Sequence, residues 1–287
     1  MIFLILAIVF STINHLLFQA FARLRIDLLS AIATNYAVCV VIGYISSIES
    51  ISIHSMFVQA WYPFSVLQGG IFVVCLFLMG RTTEKQGVAI ASLATRISVA
   101  IPTIIAFFLY DDIVTTLKII GILAALMALY LSGLGYTGTT HPLHAINIFP
   151  FALFVAFGMH STLIKFVQAQ FLESTSYHAY VMAAFLSALL ISGLVFAWRI
   201  FKQQHTVRWK DIISGLVLGC TNYGSVYFLL RALSVPGWQS SQLFPTISIA
   251  VVSLSSLCAW AVFNEQLHRR MLVAFVIGVG SIVLVNL

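Results

Sequence analysis

Arg96 is the residue whose position most needs a chemical reason. It lies near the centre of an apolar run over 87–109, too deep for its guanidinium to reach the lipid headgroups easily. A charge at that depth costs about 2.5–3.5 kcal/mol on insertion scales. Ser92, Thr95 and Thr103 follow helical spacing with it and share one face. Pro102, one to two turns further on, is expected to free a backbone carbonyl. Two chemistries explain such a group. Facing a water-filled cavity, its forked donors hold a carboxylate or phosphate. Facing helix carbonyls and neighbouring hydroxyls, it is a structural tie. All eight acidic residues (Asp27, Glu49, Glu84, Asp111, Asp112, Glu173, Asp211, Glu265) fall at loops or run ends. A proton-driven exporter of cations needs a carboxylate near the midplane as counter-ion and proton carrier. The charge pattern therefore favours an anionic or zwitterionic substrate.

Other polar residues interrupt the apolar runs. The first run carries Asn14 and His15, with Ser11, His15 and Gln19 recurring every four residues as one stripe. The sixth run carries His160. Histidine titrates near neutrality, so His15 and His160 are candidates for proton coupling; the alternative is an imidazole bonded to a neighbouring carbonyl. Asn222 and Tyr223 stand between Gly219 and Gly224, and Tyr62 follows Trp61 near the start of its run. An aromatic ring there stacks on a substrate or anchors the interface. Gln239 and Gln242 open the ninth run, and Pro245 is expected to interrupt it, as suits a deformable helix lining a cavity. Asn35 reads as a packing bond. The substrate-binding candidates are thus Arg96, Ser92, Thr95, Asn14, His15, Tyr62, His160, Asn222, Tyr223, Gln239 and Gln242.

Catalytic machinery is not expected. There is no metal-spaced Cys/His cluster and no glycine-rich phosphate loop, so no metal, cofactor or enzyme activity is assigned. The rival reading is a membrane-embedded lipid-handling protein, or an enzyme without a soluble cofactor. It needs carboxylates clustered near one interface, and Asp111-Asp112 fits an ordinary connecting turn equally well.

The elements that must position these residues follow from composition. Hydrophobic types make up 61% of the 287 residues and charged types 8%. A soluble domain carries about 25% charged residues, so most of this surface must face lipid. Apolar runs cover roughly 1–21, 28–47, 56–80, 87–109, 115–135, 146–168, 176–198, 211–232, 237–263 and 270–287. Each is near the length of about 20 residues that a spanning helix needs. The short breaks make neighbouring helices antiparallel. The longest, 135–145, separates one set of five runs (1–135) from another (146–287). Each set ends alike, with an acidic turn before its last run, at Asp111-Asp112 and at Glu265. Five is odd, so a duplicated unit must insert in the opposite sense. The expected fold is an all-α membrane protein of ten transmembrane helices, built as two inverted five-helix repeats with the site near the midplane.

The net charge of +6 resides in short loops and implies no nucleic-acid partner. One face holds Arg23, Arg25, Arg81, Lys85, Arg199, Lys202, Arg208, Lys210, Arg269 and Arg270; the other has Lys118 and Arg231 near it. By the positive-inside rule both termini then lie outside. The fifth and tenth runs carry small residues at helical spacing, Gly121 with Ala125 and Ala274 with Gly278, which suit scaffold packing or a homodimer contact.

Several segments resemble the drug/metabolite transporter superfamily, EamA type. They are Ala94-Thr-Arg-Ile-Ser-Val-Ala-Ile-Pro102, Phe107-Leu-Tyr-Asp-Asp112 followed by Gly121, and Phe263-Asn-Glu265. Asn222-Tyr223 with Leu229-Leu-Arg-Ala-Leu233 and Phe244-Pro245 is similar to its bacterial members. The resemblance spans the whole chain in layout. It implies two inverted five-helix repeats, a cavity lined by helices 1, 3, 4, 6, 8 and 9, and a secondary carrier in a bacterial inner membrane. The expected cargo is a small polar metabolite, an amino acid or organic anion. Family members commonly keep both termini in the cytoplasm, opposite to the loop charges here.

Overall fold

The structure is a computed structural model that describes residues 1–47, 53–86, 88–110, 115–134, 148–203, 208–263 and 269–286. The acidic turn at Asp111-Asp112, the junction at Glu265 and the 135–145 break lie outside the described residues. Within them the chain forms α-helices and no strand. They are α1 (Ile2–Leu24), α2 (Leu28–Ser47), α3 (Ile53–Met56), α4 (Tyr62–Gln86), α5 (Val88–Ile97), α6 (Ala100–Leu109), α7 (Thr116–Leu134), α8 (Ile148–Gln170), α9 (Tyr177–Gln203), α10 (Trp209–Leu233), α11 (Ser240–Phe263) and α12 (Arg269–Asn286).

Six of these are long and apolar enough to cross a membrane: α2, α8 and α10 throughout, and α4, α9 and α11 over most of their length. Shorter apolar stretches cover Ile2–Phe18, Leu93–Leu109, Thr116–Leu131 and Leu272–Leu284. Their outer faces stay apolar: Phe108 is 82% exposed, Leu194 75% and Val276 69%. Water does not tolerate contiguous surface of that kind, whereas lipid does. These properties mark an all-helical membrane protein.

The chain packs as two compact units. The first comprises Met1–Val73 and Phe166–Ser234, the second Val74–Lys165 and Val235–Leu287. Neither coincides with the sequence halves 1–135 and 146–287, since each takes helices from both. A repeat in sequence and a unit of packing are different things when helices of one half find their partners in the other.

In the first unit α2 packs on α9 and α10, and α1 packs on α10. Gly215 and Gly219 make the α10–α2 approach close. A Cβ at Gly215 would lie 2.5 Å from the Ala31 carbonyl oxygen, and one at Gly219 2.6 Å from Val38 Cβ. Two glycines one turn apart let the backbones meet, as small residues do in membrane helices. Gly69 of α4 plays the same part against α9, where a Cβ would meet the Ala184 carbonyl oxygen at 2.5 Å. In the second unit α7 packs along α12, with α11 against α6, α7 and α12, and α5 against α7. The small faces of α7 and α12 are used inside the chain: Ala125, Ala128 and Ala274 are buried, and a Cβ at Gly278 would touch Ala128.

The α1–α2 turn is bolted to the start of α10. Arg25 ends α1 in the left-handed conformation (φ 50°, ψ 50°), with its N–H and that of Ile26 on the Phe21 carbonyl. Arg208 Nη2 donates to the Arg25 carbonyl at 2.8 Å, and Lys210 Nζ to that of Leu24 at 2.9 Å. Fully buried Asp211 accepts from the Asp27 backbone N–H at 2.9 Å and from Arg208 Nε at 2.9 Å. That carboxylate holds the exposed Arg208 guanidinium above its ordinary pKa. Asp27 then caps α2 through Ser30. The basic loops assigned to one face from their charge, 23–27 and 208–210, therefore do meet.

Candidate functional site

The run over 87–109 is two helices, not one. The break falls at Ser98-Val99, between α5 and α6. Pro102 lacks the N–H that would bond the Ser98 carbonyl, and the Ile101 N–H takes that carbonyl instead at 3.0 Å. The carbonyl expected to be freed is thus recaptured one residue early. The break puts Pro102 in the first turn of α6, where its missing N–H has no helical partner to lose. Arg96 occupies the last turn of α5 and is 9% exposed. Its positive charge faces the negative end of the helix dipole there. Thr95 is half-buried beside it, and the Ser92 side chain lies outside the described residues.

Pro245 behaves differently. It was expected to interrupt its run, but α11 passes straight through it. Five helical residues precede it, so the ring lies near the helix start, and what it removes is the bond its N–H would make to the Ser241 carbonyl. Gln239 and Gln242 serve that helix start. Gln242 accepts the Gln239 backbone N–H at 3.2 Å, and buried Lys118 donates to Gln239 Oε1. These contacts give both glutamines a local structural role.

A polar seam runs between α1, α2 and α10. Asn14 Nδ2 donates to Ser225 Oγ at 3.2 Å, and Thr221 donates to Asn14 Oδ1. Asn222 Nδ2 donates to Asn35 Oδ1 at 3.2 Å, so Asn35 forms the packing bond expected of it. The structure brings Asn14 and the Asn222 region together, although more than two hundred residues separate Asn14 from Thr221 and Ser225 in sequence.

At the far end of α10 lies a cluster that sequence inspection passed over. His178 Nδ1 is 2.6 Å from the Tyr223 hydroxyl, and its ring stacks on Tyr227 with centroids 4.1 Å apart. Arg231, one turn beyond Tyr227, has its guanidinium carbon 4.9 Å from the Phe3 ring, 5.9 Å from Tyr227 and 6.0 Å from Tyr177. Ser234 closes the cluster with bonds to Tyr177 and Gln168. The signal was available: Tyr223, Tyr227 and Arg231 recur every four residues, a single face of α10.

The remaining candidates are more scattered. His15 is exposed on α1, while His160 is half-buried and meets Phe157 edge-on at 6.4 Å. Tyr62 is half-buried against Phe57, and its neighbour Trp61 is buried against Tyr180. Among the described residues, Asn14, His15, Tyr62, Asn222 and Tyr223 belong to the first unit, whereas Arg96, Thr95, His160, Gln239 and Gln242 belong to the second. No group of metal-ligating side chains occurs among the described residues.

Fold and site together describe a helical membrane protein whose apolar helices carry a buried arginine at a helix break and an interhelical polar seam. No family model matches the chain. It is 22% identical to a Haemophilus influenzae protein described as uncharacterized, over 97% of this chain and 95% of that one. A crystal structure of another protein shares the fold, with a TM-score of 0.75 at 13% identity over 99% of this chain and 94% of the other.

Proposed function

We propose that this chain is a secondary transporter of the drug/metabolite type, in the inner membrane of a bacterium, carrying a small polar metabolite by alternating access. An amino acid or organic anion is the cargo that suits its charge. The observation that carries the reading is Arg96, buried in the last turn of α5 where the helix breaks before α6. Secondary carriers form their sites at discontinuous helices, because a broken helix offers charged ends and backbone groups to a ligand inside the bilayer. An arginine held there costs stability that anion binding offsets.

In this reading the ten spans are α1, α2, α4, α5–α6 and α7, followed by α8, α9, α10, α11 and α12, as two inverted repeats. The packing supports it. Helices equivalent under the repeat pair with each other: α2 with α9, α6 with α11, and α7 with α12. The glycine approach of α10 to α2 is matched by that of α4 to α9. The α1–α10 contact has its counterpart where Phe64 of α4 meets Phe166 of α8 at 5.6 Å. A homodimer would use the outward faces of α7 and α12, since their small faces are occupied.

The test is flux of a metabolite panel in sealed vesicles, wild type against Arg96→Ala. The reading expects at least one amino acid or organic anion to be moved, and that flux to collapse in the variant. A panel that moves no faster than in empty vesicles would remove the transporter reading. An unchanged profile in Arg96→Ala would remove the site.

A further inference from the structure

We infer that Arg231 and His178 form a joint site for an organic carboxylate and a proton. The inference rests on the transporter reading and assigns its proton-carrying group to a histidine other than His15 or His160.

Arg231 is half-buried among aromatic rings. Ring faces attract a cation through their quadrupole but cannot accept its in-plane N–H bonds. Its Nε has no hydrogen-bond acceptor among the described residues, and no carboxylate among them pairs with it. Asp211, on the same helix, is twenty residues away, about 30 Å along the axis. A guanidinium held by π-faces with a donor unspent is prepared for a planar two-oxygen anion.

His178 shares the Tyr227 ring with Arg231. Its Nδ1 is paired with the Tyr223 hydroxyl; with Nδ1–H donating in that bond, Nε2 is the nitrogen left to gain or release a proton. A second positive charge on His178 is opposed by Arg231 until an anion neutralises the guanidinium. Carboxylate and proton therefore favour each other's binding, and linkage makes the effect reciprocal. The balance is one proton taken from water onto His178 per carboxylate bound.

Among the described residues, the other titratable or charged groups on α9 and on the helices packed against it are few. Its own helix brings Tyr177 and Tyr180, and the preceding turn brings exposed Glu173. From the helices packed on α9 come Cys39 and Tyr44 of α2, Tyr62 of α4, and Tyr223, Tyr227 and Arg231 of α10. Serine, glutamine and phenylalanine complete the cluster and carry no charge.

The experiment is calorimetric titration of benzoate into the full chain in detergent. It is run at pH 6 and pH 8, in buffers of differing ionisation enthalpy, so that protons taken up per benzoate are counted. Benzoate is the probe because it offers a carboxylate to Arg231 and a ring to its aromatic neighbours. Wild type is expected to bind about tenfold more tightly at pH 6 than at pH 8, with net proton uptake. Arg231→Gln should abolish binding. His178→Gln should retain binding, lose the proton uptake and flatten the pH dependence. Tyr223→Phe, which removes only the hydroxyl partner, should displace the pH profile and serves if His178→Gln does not fold. Absence of benzoate binding in wild type overturns the inference. So does binding indifferent to Arg231→Gln, or proton uptake that survives His178→Gln. Flux through vesicles without this binding would sink the joint site and leave the transporter. Intact binding without flux of any metabolite would do the reverse.

Discussion

Arg96 and Arg231 are the same residue type in the same helical position, the last turn, yet the two units accommodate them differently. Arg96 sits in the second unit where the helix itself has broken, with Ser98 and Pro102 setting the break. Arg231 sits in the first unit at the natural end of an unbroken helix, ringed by Phe3, Tyr177 and Tyr227. One charge is housed by disturbing the backbone, the other by surrounding it with side chains. Backbone disturbance is the more functional signature, because a broken helix is a standing cost that packing alone does not require.

That contrast can be broken experimentally. The largest effect is expected for Arg96→Ala, with a loss of about 10–100-fold in vesicle flux, since hydrogen bonds to a charged group contribute about 1.5–3 kcal/mol. Arg231→Leu should lower thermal stability in detergent by about 1–2 kcal/mol, as each aromatic contact contributes roughly 0.5–1 kcal/mol. An Arg231→Leu protein as stable as wild type would show that the ring cage contributes nothing. Pro102→Ala restores an N–H that competes with that of Ile101 for the Ser98 carbonyl. The α5–α6 segment should then straighten, gaining about 1 kcal/mol of stability and losing flux several-fold; unaltered flux would make the break incidental. The smallest effect belongs to the polar seam. A double-mutant cycle of Asn14→Ala with Thr221→Val should give a coupling of about 0.6 kcal/mol, the usual value for hydrogen bonds between membrane helices.

Much of this was legible in the residues. The helices fall where the apolar runs lie, and Arg96 is buried as its depth in the run required. What the residues left open concerns proline and partners. Pro102 and Pro245 look alike in sequence, but Pro102 stands in the first turn of α6 just past a break, whereas Pro245 stands inside α11, which continues through it. Gln239 and Gln242 read as cavity residues, and the structure adds bonds from them to Lys118 and to the start of their own helix that no single run foretells. His178 escaped notice because its partners, Tyr223 and Tyr227, lie on another helix.

By itself, then, the order of amino acids determined that this chain forms apolar helices suited to a bilayer, because hydropathy is a local sum over neighbours in one run. It also determined which charges would be costly. Only the tertiary structure decided which polar groups meet, Asn14 with Thr221 and Ser225, Asn222 with Asn35, and His178 with Tyr223. Hydrogen bonds between helices depend on axial register to within a fraction of a turn. For Asn222 with Asn35 that register comes from the close seating of Gly215 and Gly219 on α2, which no single run can specify.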